Sequence, residues 1–441
     1  MSSLRLDPVR RQRLEELLKT DSAPLHVVGL GHFGGNIALI RHLVQKGRRV
    51  VLWESAPREK LLDSWAQLED CHDGIVPHFG VKQPDPGPDE TLFVSPAVQP
   101  QSPFLGGRSE IFTELELALG LLEAAGTEVH IVFGSLGKST CAALLASLLG
   151  CEVWGNIGRS LLESACMPAE IVLEVSSFQL HYLEPTRFVP ASYLMTILAA
   201  NHADWHGGLE AYQGCKLRWL EYWKGRGVPG LRMKSVLEDG DCRLEGSGCV
   251  IKIGEQEERL PLRPPLMGAH NLLNLHTVSS LGHLLGRLNE SGKARLGAFA
   301  GLPHRLEIVA EQGDLRFIND SKATSPGAVL SALRSVRRGP CLILQGVDKS
   351  ADFGAVLEEL VLQGGRLCLC GELARRWVDD LPPGLSCQRA DTLDDLFENP
   401  EFPGLLNGDI LLSPGAPSYD RYDNYEERGR HFSMLARGYR P

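Results

Sequence analysis

Long apolar runs are missing from these 441 residues. None approaches the roughly 18 consecutive apolar positions that a bilayer-crossing helix needs, so no membrane insertion is expected. The opening stretch MSSLRLDPVRRQRLEELLKT has no continuous apolar core, which argues against a secretory leader. An excess of positive charge is missing too. Lys and Arg number 45 against 55 Asp and Glu, a formal net charge of −10. That excludes the phosphate-neutralising surface of a nucleic-acid binder. The eleven cysteines are odd in number and never spaced CxxC, the nearest approach being Cys368 and Cys370. Reduced thiols in a cytoplasmic protein are the reading, in preference to disulfides or a zinc site. Tandem repeats of solenoid period and low-complexity tracts are absent as well.

What is present is an ordinary globular balance, 43% apolar and 23% charged, in a chain long enough for two to four domains. Three series of apolar runs end in glycine or polar residues. The first has LHVVGLG, a helix-like GNIALIRHLVQKG and RVVLWE, a β-α-β unit that implies a parallel sheet. The Pro-rich 81–104 segment reads as loop, one short strand and loop. A second series opens at VHIVFGSLGKST and continues through EIVLEVSSF and ASYLMTILAANHADWH, with short hairpins over 225–265 and a helix at GAHNLLNLHTVSSLGHLLGRL. The third runs from RFINDSKATS through CLILQG and RLCLCG to DILLSPGAPS. Three consecutive α/β units with boundaries near 107 and 302 are expected.

Two glycine turns carry chemistry. Gly29, Gly31 and Gly34 match GxGxxG between strand and helix, and Glu54 follows 20 residues later. This is the dinucleotide fingerprint in context, open to a nicotinamide or flavin, to another nucleotide diphosphate, or to simple packing. Gly134, Ser135, Gly137, Lys138, Ser139 and Thr140 follow VHIVF and precede CAALLASLLG. Such a turn curls backbone N–H groups around a polyphosphate, with Lys138 as a point charge and Ser139 or Thr140 as a Mg2+ ligand. The loop is one residue shorter than GxxxxGK[ST], since Val132 stands where the first glycine belongs. Glu174 at one strand end, and His202 and Asp204 near the next, offer the sparse oxygen and nitrogen ligands that Mg2+ accepts beside phosphates. Lys216, if buried, would hold a depressed pKa, and a neutral amine can take up CO2 as a carbamate.

These segments resemble the Mur ligases, ATP-dependent amide-forming enzymes of peptidoglycan precursor synthesis, and within them the glutamate-adding branch. The resemblance rests on GSLGKST, GNIG, LEVSSFQL, NHADWHG, YQGCKLRW, GAHNLLN, GLPHRLE, NDSKATS, GVDKSADF and LLSPGAPSYDRYDNYEERG, in family order over about 320 residues. GLGHFGG and VSPA extend it to nearly the whole chain. It implies an α/β fold of three domains: a Rossmann-like UDP-sugar domain (1–107), a central P-loop ATPase-type domain (108–302) and a Rossmann-like glutamate domain (303–441).

The implied reaction adds D-glutamate to UDP-N-acetylmuramoyl-L-alanine through an acyl phosphate, using ATP and Mg2+, in a cytoplasmic monomer. The resemblance reassigns Gly29, Gly31, Gly34 and Glu54, with Ser95 and Asn156, to the UDP-sugar substrate. It gives Lys138, with Asn271, Asn274, Arg305, Asp320 and Lys322, to ATP. Ser139 or Thr140, Glu174, His202 and a carbamylated Lys216 would position Mg2+, and Thr324, Lys349, Ser418 and Tyr425 would hold glutamate. Departures from the family pattern are Leu136 for asparagine, Asn201 for aspartate, Ala97 for glycine, Ser325 for asparagine and Pro417 for a small residue. None removes an implied ligand. Competing readings are an L-glutamate ligase, a folylpolyglutamate synthase, a non-catalytic UDP-sugar sensor and a nicotinamide dehydrogenase.

Overall fold

Three sheets of mostly parallel strands organise the chain, their central strands apolar runs that stop at a glycine or a polar side chain. The computed structural model describes all residues except 1–3, 20–22, 31–34, 83–89, 106–110, 157–159, 165, 185–187, 200–202, 239, 246–247, 262–267, 348–349, 377–380, 400, 403–407 and 441. The described chain separates into two compact units. One comprises Met1–Asp241, Ile251–Glu257 and Asn274–Leu296; the other comprises Cys242–Val250, Glu258–Leu273 and Gly297–Pro441.

The first unit holds two all-parallel five-stranded sheets. The first sheet runs Ile75–Phe79, Val50–Glu54, Leu25–Val28, Leu92–Val94, Ile111–Phe112 across its width. Chain order reverses between Leu25–Val28 and Leu92–Val94, and such a switch point opens a crevice beyond the strands' carboxyl ends. The second sheet runs Gly230–Arg232, Ser192–Met195, Glu128–Phe133, Glu170–Glu174, Glu152–Gly155. A continuous apolar cluster from Leu4 to Trp223 serves both sheets.

The charged amino-terminal stretch belongs to this core. Arg5–Leu6 pairs antiparallel with Phe188–Val189. The following helix, Pro8–Leu17, starts on an Asp7 cap with proline at its first position and buries Leu14 and Leu17. Arg10 forms a fork onto the buried Glu116 carboxylate at 2.7 and 2.8 Å, and its guanidinium lies 3.8 Å from the Phe112 ring centre. The helix Leu209–Gly225 is fixed just as firmly. Trp219 and Trp223, one turn apart, are fully buried, and their indoles donate to the Leu180 and Phe188 carbonyls at 3.1 and 3.2 Å.

The second unit contains a six-stranded sheet ordered Glu307–Gln312, Leu315–Asn319, Asp409–Gly415, Cys341–Gln345, Arg366–Cys370, Cys387–Ala390. Only its first pair is antiparallel. Apolar clusters cover the two faces of the sheet. The strands Cys242–Glu245, Gly248–Ile253 and Gln256–Pro261 make a separate three-stranded sheet, where hairpins were expected.

At the base of the six-stranded sheet, Asp409 is wholly buried and accepts two bonds from the Arg316 guanidinium, at 2.7 and 2.6 Å, and one from the Arg337 N–H at 2.8 Å. Removing one member of a buried pair leaves the other uncompensated. Asp409→Asn is therefore expected to cost about 3 kcal/mol in urea unfolding; an unchanged midpoint would show the pair contributes nothing.

Candidate active site

At the switch point of the first sheet lies a cavity of about 500 Å3, lined by Gly29, Glu54, Ser95 and much of the loop that follows. Glu54 ends its strand pointing at the turn. Its carboxylate accepts from the backbone N–H of Leu30 at 2.8 Å and of Ala56 at 2.9 Å, and from the Ser55 hydroxyl at 3.2 Å. Both oxygens are thus engaged by the protein itself. Glu54 shapes the turn, and the cavity gains its form from that. Ser95 continues the next strand, donating its N–H to the Val28 carbonyl at 2.9 Å.

The phosphate-type loop leaves the strand Glu128–Phe133 and enters the helix Lys138–Leu149. Gly134 has φ +139°, and a β-carbon there would collide with Thr196, so no larger residue fits. Gly137 caps the helix in the left-handed region, leaving first-turn N–H groups to face a ligand. The loop is braced by N–H bonds from Ser135 and Leu136 to the Ile197 carbonyl, at 2.9 and 3.2 Å, and by the Ser135 and Tyr212 hydroxyls 2.7 Å apart. Lys138 Nζ folds onto the Ser135 carbonyl at 3.0 Å. Leu136 projects outward, 55% exposed. Asn274 reaches the helix from behind, its Oδ1 accepting from the Cys141 thiol at 3.3 Å. Ser139 is buried and Thr140 half-buried.

Beside this loop, Glu174 and Lys216 are among the buried side chains that end in an atom without a hydrogen-bond partner among the described residues. Glu174 is 1% exposed; Oε1 accepts from Asn156 Nδ2 at 3.0 Å, while Oε2 accepts nothing. Lys216, also 1% exposed, has an unpartnered Nζ held 3.3 Å from the Tyr212 ring centre. Burial first, and the charge of Lys138 second, push its pKa down to about 7. An orphaned carboxylate oxygen at a strand end and a buried, near-neutral amine on the helix Leu209–Gly225 are each costly unless something binds there.

In the second unit, the carboxyl edge of the six-stranded sheet gathers Asp320, Lys322, Ser418 and Tyr425. Asp320 is buried, accepting from the Ser413 hydroxyl at 2.8 Å and the Leu306 N–H at 3.3 Å, and desolvation raises its pKa to about 7. Lys322 Nζ lies 5.0 Å from the Tyr425 ring centre, Ser418 is 2% exposed, and Thr324 is exposed. Asn271 is buried, and Arg305 lies between His304 and Leu306, which both hold positive φ. Sequence reasoning missed the organiser of this edge. Arg428, fully buried, donates to the Ser321 hydroxyl and carbonyl and to the Gln345 and Ala416 carbonyls at 2.9–3.1 Å. It thereby joins three loops that carry the predicted residues.

Tyr212 was missed as well, although its i,i+4 spacing from Lys216 on one helix was a usable signal. Asp204 is exposed. Gly31, Gly34, Asn201, His202 and Lys349 lie outside the described residues.

No protein-family model matches the chain. Individual proteins do. It is 34% identical over 451 residues to the UDP-N-acetylmuramoylalanine--D-glutamate ligase of Rubrobacter xylanophilus, covering 94% of this chain and 98% of that one. The enzyme of the same name from a Synechococcus species is 32% identical over 474 residues, covering 92% and 96%. Among solved structures, the MurF ligase of Thermotoga maritima in complex with ADP superposes with a TM-score of 0.58 over 88% of this chain and 95% of its own, at 14% identity, a likeness of fold. With its parallel sheets in place and that identity sustained along nearly its whole length, the chain belongs to the UDP-N-acetylmuramoylalanine--D-glutamate ligase family of Mur ligases.

Proposed function

We propose that this enzyme joins D-glutamate to UDP-N-acetylmuramoyl-L-alanine in the cytoplasm, with ATP hydrolysed to ADP and phosphate, and that its three domains divide near 107 and 302. The observation that carries the site assignment is the phosphate-type loop flanked by two buried, unpartnered side chains, Glu174 and Lys216. The 134–140 turn is assigned to the ATP phosphates, with Lys138 swinging from the Ser135 carbonyl to the β,γ region. Asn271, Asn274, Arg305, Asp320 and Lys322 are assigned to the nucleotide. Gly29, Gly31, Gly34, Glu54, Ser95 and Asn156 are assigned to the UDP-sugar, with Glu54 also bonded to the Leu30 N–H in the cavity wall. Thr324, Lys349, Ser418 and Tyr425 are assigned to glutamate.

The donor set fits Mg2+: a buried carboxylate oxygen with nothing to accept, hydroxyls at Ser139 and Thr140, and His202 by sequence. Such an ion would draw charge from the γ-phosphoryl oxygens during transfer. Lys216 can add an oxygen ligand of its own. Its neutral amine attacks CO2, a C–N bond forms as one C–O π bond opens onto oxygen, and one proton leaves to solvent, turning a neutral amine into an anionic carbamate.

The chemistry then runs in two steps. An alanyl carboxylate oxygen attacks the γ-phosphorus as the bond to ADP breaks. Lys138 and the loop N–H groups offset the charge that develops. Glutamate's amine next attacks the acyl carbon, the carbon–oxygen bond to phosphate breaks, and the amine gives up a proton as the amide forms.

The test is ADP release with UDP-N-acetylmuramoyl-L-alanine and either enantiomer of glutamate. Release dependent on both acceptor and D-glutamate is expected. Equal or better rates with L-glutamate would overturn the stereochemical assignment, and no ADP with either would leave a sensor as the surviving reading.

A further inference from the structure

The wall of the 500 Å3 cavity is held by side chains that no substrate assignment uses. More than half of its lining comes from the loop between Ser95 and Phe104. That loop turns tightly on itself, with the Val98 N–H on the Ser95 carbonyl at 3.0 Å and the Ser102 N–H on the Gln99 carbonyl at 2.9 Å. Its two consecutive carbonyls at Ala97 and Val98 point away from these turns. Trp205 Nε1 donates to the first at 3.1 Å, and the Tyr182 hydroxyl donates to the second at 2.5 Å.

Both donors belong to the second sheet's connections. Tyr182 ends the helix Ser177–Tyr182, which begins three residues after Glu174. A capping box fixes that start: Gln179 N–H bonds the Ser176 hydroxyl at 3.2 Å, and Gln179 Oε1 accepts from the Ser176 N–H at 2.9 Å. Trp205 lies on the helix Ala203–His206, three positions past His202 in the sequence. The rings restrain one another. Trp205 packs on Phe178 at 4.6 Å between centres and meets His181 edge-on at 5.2 Å. Burial keeps the Tyr182 phenol well above its ordinary pKa, so it remains a donor. On the far side, a β-carbon at Gly29 would sit 3.1 Å from Ser95 Cβ and 3.3 Å from Val98 Cγ2. Displacement of the loop would therefore reach the glycine turn directly.

We propose that Tyr182 and Trp205 are positioning residues for the UDP-sugar. By clipping the Val98 and Ala97 carbonyls, they hold the cavity rim in register with the helices Ser177–Tyr182 and Ala203–His206. The sugar-linked acid thus extends from the cavity toward the phosphate-transfer site at one fixed reach. Neither side chain touches the reacting atoms. The proposal rests on the cavity being the UDP-sugar site.

The test is the Tyr182→Phe/Trp205→Phe double variant, which removes both donors and keeps an aromatic ring at each position. Two neutral hydrogen bonds correspond to about tenfold. The KM for UDP-N-acetylmuramoyl-L-alanine is expected to rise about tenfold, with the KM for ATP changed less than about twofold and the melting temperature little moved. The single Tyr182→Phe variant is expected to fall between the double variant and the unmodified enzyme. Unaltered KM for the UDP-sugar would overturn the clip, as would parallel losses in both KM values together with a falling melting temperature. UDP binding to the unmodified enzyme is measured first by calorimetric titration. No binding there removes the cavity assignment and this proposal with it, whereas normal binding with an unaffected double variant removes the clip alone.

Discussion

Lys216→Ala is expected to lower turnover about 1,000-fold, the scale for losing a group that organises charge at the reacting centre, and short carboxylates such as formate are expected to restore part of it. The expectation comes from an amine that is buried, unpartnered and depressed to about 7 by desolvation and by Lys138. Among the side chains around it, Lys138 lowers its pKa, the Cys215 thiol raises it, and Tyr212 offers only a ring face. A permanent cation there would repel the Mg2+ proposed for the Glu174 side. Carbamylation removes the conflict, and bicarbonate should stimulate the enzyme more at pH 8 than at pH 6, since the reactive amine is neutral only above about 7. The sign of the stability effect follows from the same shift. Between about 7 and the ordinary 10.5, the unfolded chain binds a proton that the folded one does not. Stability of the uncarbamylated protein therefore rises with pH across that window and is lost as pH falls through it. Lys216→Met should flatten the slope in urea titrations. Full activity of Lys216→Ala without any added carboxylate would exclude the carbamate.

Lys138→Met is the second large loss. The lysine stands at the first turn of its helix, and its Nζ is parked on a loop carbonyl 3.0 Å away, within the same turn that would wrap the phosphates. Methionine keeps the length of the stem and deletes the charge. A fall of about 1,000-fold in kcat/KM for ATP is expected, in line with removal of a phosphate-stabilising cation. UDP binding should persist, because the switch-point cavity is lined by other segments. ADP formation at a rate near that of the unmodified enzyme would show that the loop does not serve phosphoryl transfer.

Much of this was legible from residue order. VHIVF followed by GSLGKST announces a strand, a turn and a helix start because the apolar run ends where the glycines begin, and LHVVGLG does the same. Glu174 sits at a strand end for the same reason. Its spacing of 20 residues beyond the glycines places Glu54 at the first glycine turn, and it does line the cavity; what residue order does not show is that it also accepts from the Leu30 and Ala56 N–H groups. Arg428 lies in NYEERGRHF, where nothing in the local pattern singles out one charged residue, yet the packing of three loops encloses it. Tyr182 and Trp205 find carbonyls 84 and 108 residues away, separations that no local pattern encodes.

The shared apolar cluster beneath the first two sheets has a calorimetric consequence. Side chains from Leu4 through Trp223 interlock without a break, so heat should melt both sheets in one endotherm. A uridine nucleotide seated in the cavity would move that peak upward with the logarithm of its concentration, carrying the phosphate-loop sheet along although it touches none of it.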